Sequence, residues 1–473
     1  MNEVKQTEFD LAILGAGPGG YVAALKAAKL GAEVALIEKE NIGGTCLNWG
    51  CIPTKALISS AELYKKARES SSLGVNISEA SFDFTGMIKR KDKVVARLVR
   101  GIEYLLENEG VAVFEGEGEL VRPGEITVTG DNYCQDIRAK KVIIATGSRA
   151  SRLPVPGMDL PGVIGSREAL ALEELPEKMV IVGGGVIGME FAFLFANLDV
   201  EVTVIEFMDN ILPEMDDDIC KELKRSARRQ QIKLHTSSEV QKISRTEDEQ
   251  EKLLVNFVEE DEEKFIPTEM VLVAVGRVPD LTGLDIEALG LDCQESGRGI
   301  EVNERMETSV DNVYAIGDVT DKILLAHVAM HQGIVAVKNA CGRESSMSYE
   351  AVPSAIFTDP EVATVGLSEK EAASQGIEVE VGRFPYSANG KVLAAGERQG
   401  FVKILQDKTN GRVVGGAIVG LHATDLIATL SLAVENNLTA AEIGETIFAH
   451  PTTAEVIHEA ALGLEGGALH YSE

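Results

Sequence analysis

No run in this 473-residue chain reaches 18 apolar residues, so no segment is expected to span a membrane. The opening stretch, Met1 to Asp10, is polar and lacks an apolar core behind a basic patch, so no secretory leader is expected. Cysteine is sparse. The six residues (Cys46, Cys51, Cys134, Cys220, Cys293, Cys341) follow no regular spacing, which argues against a disulfide-stapled secreted scaffold and favours the cytoplasm. Basic residues are also few, 45 Lys and Arg against 75 Asp and Glu. A net charge of −30 leaves no clustered cationic face for nucleic acid. Part of the acidic excess is local: the runs at 247–251 and 259–263 flank apolar stretches at 253–258 and 265–267 and read as solvated turns of a β-meander.

Glycine, by contrast, is abundant, with 46 residues. Phe9 to Leu14 is an apolar run, followed by Gly15-Ala16-Gly17-Pro18-Gly19-Gly20, a small-residue helical pattern from Tyr21 to Leu30, and a second apolar run ending at Glu38. Strand, glycine turn, helix, strand and terminal acid make a dinucleotide-binding unit. Its glycines serve the tight turn (Gly15), the close approach of a pyrophosphate (Gly17) and helix–strand packing (Gly20), while the acid accepts from ribose hydroxyls. The pattern then recurs with Gly183, Gly185 and Gly188, a helix from Met189 to Asn197, and an apolar run ending at Glu206. Gly15 and Gly183 lie 168 positions apart, and so do Glu38 and Glu206. Two copies, each in context, predict two dinucleotide sites, as when a bound flavin exchanges electrons with a nicotinamide.

Apolar runs ending in ATGS (145–148), AVGR (274–277) and AIGD (315–318) punctuate the rest. From about Tyr349 the texture changes to strand and helix patterns without a glycine fingerprint. The expected fold is α/β, with two Rossmann-like dinucleotide-binding domains followed by a separate α+β domain. The expected boundaries are 1–150 and 278–348 for the two parts of the first domain, 151–277 for the second, and 349–473 for the last.

Cys46 and Cys51 follow soon after Glu38. Four intervening residues are the loose limit of a zinc clip, but no second Cys or His pair follows at ligand spacing, so no metal is expected. A disulfide closing so short a loop constrains little and opens readily to an attacking thiolate, which favours redox chemistry over stapling. Two neighbouring buried cysteines also fit the bare spacing.

With GAGPGG (15–20), GGTCLNWGCIPTK (43–55), ATGS, GGGVIGME (183–190), AVGRVP (274–279), AIGD and HPTTAEVIHEA (450–460), the chain resembles the disulfide oxidoreductase flavoproteins, and among them the dihydrolipoamide dehydrogenases. The resemblance implies a homodimer that oxidises protein-bound dihydrolipoamide through a Cys46–Cys51 disulfide and FAD to NAD. It implies FAD contacts from Gly15, Gly17, Gly20, Glu38, Thr45, Lys55, Gly118, Thr146, Gly147, Asp318 and Ala326. NAD would meet Gly183, Gly185, Gly188, Glu206 and Gly276. Glu190 would pair with Lys55 near the flavin, and Cys51 would lie against its ring while Cys46 exchanges with substrate. His450 and Glu455 would form an acid–base dyad acting across the dimer interface. The last domain would then be the dimerisation domain, and the implied partners are a lipoyl domain with the acyltransferase core of a 2-oxo acid dehydrogenase complex, or the lipoyl carrier of glycine cleavage.

The chemistry agrees with those roles. A dithiol attacks a disulfide as thiolate, so a base is needed, and histidine suits neutral pH. Glu206 accepts from the 2′-hydroxyl of NAD and repels the 2′-phosphate of NADP, and Phe207, Met208 and Asp209 include no Arg to offset it. The competing expectation is an NAD(P)H-dependent reductase of another small disulfide. His327, His331 and His458 are expected to be structural. Trp49, the only tryptophan, stands between the two cysteines.

Overall fold

The computed structural model describes residues 7–246 and 252–472; the acidic run at 247–251 lies outside them. β1 (Thr7–Leu14), α1 (Pro18–Lys29) and β2 (Val34–Glu38) form as the sequence predicts. β1 is flanked in parallel by β2 and by the strand Cys134–Ile144, which in turn pairs with Val313–Ala315. The chain therefore leaves this sheet and returns to it. Its apolar strand faces bury Ile13, Leu36, Ile143 and Ile144 between helices, the environment in which strands carry continuous apolar runs.

A second parallel sheet is built from Val163–Ile164, Lys178–Val182, Glu201–Ile205, Lys233–His235 and Met270–Val273. The 259–263 run marks an antiparallel turn, as expected: Leu253–Glu259 pairs with Glu262–Thr268, and Ser238–Arg245 completes a three-stranded meander. The third unit is an antiparallel sheet of five strands between Pro353 and Val419, with helices Ala423–Glu435 and Glu455–Leu462 packed on it.

The helix Val186–Ala196 (VIGMEFAFLFA) is apolar all round but for Glu190, so it must be enclosed. It is. Phe191, Phe193 and Phe195 share one core with Leu57 and Ile58 of α3 (Cys51–Glu69) and with Ile356 and Val419 of the third unit. Truncating one such phenylalanine to alanine costs about 3–5 kcal/mol.

The C-terminal segment is pinned by Glu459, a buried carboxylate that accepts from the Leu469 and His470 amides and from His470 Nδ1 at 2.6 Å. Glu459 raises the His470 pKa above 6.5. Burial works against ionisation of Glu459, but His470 and the two amides more than offset it and hold its pKa below 4.5. The histidine's contribution is complete below about 6.5 and fades as pH rises through its raised value; the carboxylate's is complete above about 4.5 and fades as pH falls through its lowered one. The pin is therefore strongest between these limits. Amide protection at Leu469 and His470 should decline above neutral pH, whereas His470→Gln should remove that pH dependence.

Candidate functional site

The 168-residue repeat extends to individual hydrogen bonds. Gly15 N–H donates to Ile37 O at 2.8 Å, and Gly183 N–H to Ile205 O at 2.8 Å. Glu38 accepts from the amides of Ala16 (2.7 Å) and Glu40 (2.8 Å). Glu206 accepts from those of Gly184 and, at 2.7 Å, Met208. Each acid is thus held at its strand end by the turn it serves. Burial raises the Glu38 pKa, with the two amides opposing.

The glycines divide by role. A Cβ on Gly20 would lie 1.8 Å from Gly15 O, and one on Gly188 1.9 Å from Gly183 O, so both are required for helix–turn packing. A Cβ on Gly17 or Gly185 would meet nothing within 4 Å. These two open positions sit at the N-termini of α1 and Val186–Ala196, where unpaired amides suit a pyrophosphate. The residues therefore fit one dinucleotide per unit. Gly118 answers to packing, because a Cβ there would lie 2.6 Å from Leu14 Cδ2. Thr146 donates to Asp280 O at 2.6 Å, and Gly147 and Gly276 take positive φ in the turns that follow Cys134–Ile144 and Met270–Val273. Ala326 opens the helix Ala326–Ala340, whose Gly333 crosses α1 at Gly19.

The cysteines sit across a break absent from the sequence reading. α2 (Gly44–Trp49) stops at Gly50, where a Cβ would lie 2.8 Å from Thr45 O, and α3 starts at Cys51. Thr45 and Cys46 occupy α2, while Cys51 has the first position of α3. Cys46 and Cys51 stand next to each other across this break, unbonded in this structure and with their side chains in hydrogen-bonding contact. Hydrogen bonding from Cys46 lowers the Cys51 pKa to about 7 against burial, with Lys55 assisting; the same contact and burial push Cys46 up. Cys51 is thus the more readily ionised sulfur of the pair, a tendency its place at a helix N-terminus also favours.

Lys55, one turn along α3, pairs with the buried Glu190 at 2.7 Å. Glu190 also accepts the Phe357 amide at 3.0 Å, and the Lys55 ammonium lies 4.5 Å above the Phe357 ring. Asp318 accepts a hydrogen bond from Ser148, and Arg277 Nε donates to Ser148 Oγ at 2.7 Å. The sequence reading missed Arg277 and Ser148, although both end glycine turns that it singled out. Burial raises the Asp318 pKa, with Ser148 and Arg277 opposing.

His450 Nδ1 meets Glu455 Oε1 at 2.8 Å, and Glu455 also accepts the Thr452 amide at 2.8 Å. Burial works against a charged Glu455, but these two partners lower its pKa. The His450 side chain is 81% exposed. His327 and His458 bond backbone carbonyls of Pro353 and Gly444, as structural residues do.

The model of the pyridine nucleotide-disulphide oxidoreductases matches residues 9–333, and that of their dimerisation domain matches residues 352–461. The chain belongs to this family, whose members are FAD-binding, NAD-using flavoenzymes. Among curated relatives, dihydrolipoyl dehydrogenase of Halobacterium salinarum is 42% identical over 470 residues, 98% of each chain. That of Bacillus subtilis is 41% identical, covering 98% of this chain and 100% of its own. Of solved structures, LpdA from Mycobacterium tuberculosis superimposes with a TM-score of 0.89 at 30% identity, covering 97% of this chain and 99% of its own. The flavoprotein disulfide reductase RclA from Escherichia coli reaches 0.84 at 29%, covering 96% and 99%. Among the described residues, no helix is long and apolar enough to cross a membrane.

The two glycine classes should separate in experiment. Gly17→Ala should leave the apoprotein's unfolding midpoint unchanged while weakening FAD binding about tenfold or more, by removing the pyrophosphate's closest approach. Gly20→Ala should lower both, read by calorimetry and flavin absorbance.

Proposed function

We propose that the chain oxidises protein-bound dihydrolipoamide, with Cys46 and Cys51 as the redox pair, His450 as base and NAD as final acceptor. The observation that carries this reading is the thiol pair on α2 and α3, braced by Lys55–Glu190 where the two dinucleotide units meet. On this reading residues 1–150 and 278–348 hold FAD, 151–277 hold NAD, and 349–473 make the contact of a homodimer. Gly15, Gly17, Gly20, Glu38 and Asp318 would face FAD; Gly185, Glu206 and Gly276 would face NAD. Bound FAD supplies the two-electron link between the cysteines and NAD.

The protein groups account for the proton and sulfur chemistry. In the oxidised pair, His450 takes a proton from one substrate thiol, and the resulting thiolate attacks Cys46. A mixed disulfide forms, the Cys46–Cys51 bond breaks, and Cys51 leaves as thiolate. His450 gives up the first proton to solvent and takes that of the second substrate thiol, whose thiolate attacks the substrate sulfur bound to Cys46, closes the lipoamide ring and expels Cys46, which takes the proton back from His450. Glu455 holds His450 by Nδ1, which leaves Nε2 for the proton. Its exposure suits a base that serves the partner's cysteines. The carboxylate of Glu206 counts against an NADPH-dependent reductase. A lipoyl domain carried on a 2-oxo acid dehydrogenase core or a glycine-cleavage carrier would present the dithiol.

His450→Gln should lower turnover by about 10²–10⁴. Mixing it with a Cys51→Ser chain should restore activity through heterodimers that carry one intact composite site. Persistent inactivity after proven subunit exchange would refute action across the interface.

Cys46→Ser should leave a Cys51 thiolate beside the flavin, seen as a long-wavelength absorbance band that appears as pH rises through the thiol's pKa. Lys55→Met should move that midpoint upward, because a cation that favours the thiolate is lost. A midpoint unmoved by Lys55→Met would refute that electrostatic role.

A further inference from the structure

The chain passes between the two dinucleotide units along a ribbon of two short strands. Ser148–Ala150 leads out of the first unit and Arg277–Pro279 leads back, paired antiparallel as Arg277 with Ala150 and Pro279 with Ser148. Ser151 N–H donates to Gly276 O at 3.0 Å, and Asp280 N–H to Gly147 O at 2.9 Å, so the flanking glycine turns are stitched to the same ribbon. At its centre, the half-buried Arg277 donates through Nε to Ser148 Oγ and through Nη2 to Ser148 O. The Ser148 hydroxyl accepts from Arg277 and donates to Asp318, which fixes its one proton in direction. Asp318 follows Gly317, whose amide is held at 2.6 Å by the fully buried Gln332. An unbroken chain of side chains thus runs from the turn of the second unit into the framework of the first.

We propose that Arg277 is a positioning residue that latches the interunit ribbon to Asp318 through Ser148, fixing the Gly276 turn of the second unit against the cofactor of the first. The proposal rests on the reading that the first unit holds FAD and the second NAD. Hydride transfer between two cofactors held by different units is sensitive to their spacing, and a displacement of about 1 Å costs roughly 100-fold. Two donors on one planar guanidinium fix the angle of the ribbon as well as its distance, which a lysine ammonium cannot reproduce. Arg277 hydrogen-bonds neither the cysteines nor the His450 dyad, so the geometry of the latch, as distinct from the charge that also reaches Cys51, bears on the nicotinamide half of the reaction. Burial works against the guanidinium's charge, while Asp318 and the Cys51 thiolate support it, which makes charge the rival explanation that the lysine variant must separate.

The test uses the holoenzyme and the variants Arg277→Met, Arg277→Lys, Ser148→Ala and the Arg277→Met/Ser148→Ala double. Stopped-flow absorbance follows flavin reduction by NADH and, separately, by dihydrolipoamide. Reduction by NADH should slow about tenfold or more in each single variant, including Arg277→Lys, while in Arg277→Lys and Ser148→Ala, which keep a cation near Cys51, reduction by dihydrolipoamide stays within about twofold of wild type. The double variant should be no slower than the slower single, because both changes cut one relay. In the holoenzyme, the amides of Ser151 and Asp280 should exchange faster in every variant. Equal slowing of both half-reactions in Arg277→Lys or Ser148→Ala, wild-type behaviour of Arg277→Lys, or additive losses in the double would overturn the latch. Should Arg277→Met fail to hold FAD, a wild-type NADH half-reaction in Ser148→Ala overturns it equally. A wild-type enzyme reduced by NADH but not by dihydrolipoamide would refute the substrate reading, while the NADH arm still decides the latch.

Discussion

A single carboxylate on an otherwise apolar, enclosed helix holds the site together. Glu190 lies between Phe191 and Met189, with almost no water access, and must be satisfied inside the protein. Glu190 belongs to the second unit, and its two partners come from the other two: the Lys55 ammonium on the helix that starts at Cys51 and the Phe357 amide from the C-terminal unit. Removing the Lys55 ammonium would leave the Glu190 charge buried without a counter-ion, a loss of up to about 3–5 kcal/mol. The helix of Cys51, the second dinucleotide unit and the dimerisation unit therefore meet at one ion pair, enclosed on the Glu190 side by the phenylalanine core.

The two dinucleotide units show what the sequence can specify by itself. Gly20 and Gly188 are dictated by the carbonyls of Gly15 and Gly183 a few residues earlier, so their requirement is written in the local string, whereas Gly15 and Gly183 also answer to the distant carbonyls of Ala145 and Ala274. Glu38 and Glu206 end strands whose apolar runs identify them. The hydrogen bonds of the two turns repeat at the same offset as the glycines. Here local sterics and global fold coincide, and reading one yields the other.

Other features were not legible, for equally physical reasons. The break at Gly50 depends on its approach to Thr45 O, which only the folded α2–α3 corner creates. Glu190 meets Phe357 across 167 positions, and Arg277 meets Ser148 across 129. No periodicity encodes such pairings. The fully exposed Ile447 near His450 would likewise look like a core residue from its type alone. Cys46 and Cys51 were recognisable as a pair, but which sulfur is the better thiolate follows from their placement at the helix junction and from Lys55.

Trp49 brings the two dinucleotide units under direct observation. Its indole lies beneath the Arg167 guanidinium, 4.0 Å from ring centre to carbon, and the same arginine reaches Glu40 at 3.1 Å. Arg167 belongs to the short helix after Val163–Ile164, in the second sheet's unit, while Trp49 and Glu40 belong to the first. The chain thus carries a built-in optical gauge across its interunit seam. With no other indole to contribute background, its emission would follow the opening and closing of that seam without a label.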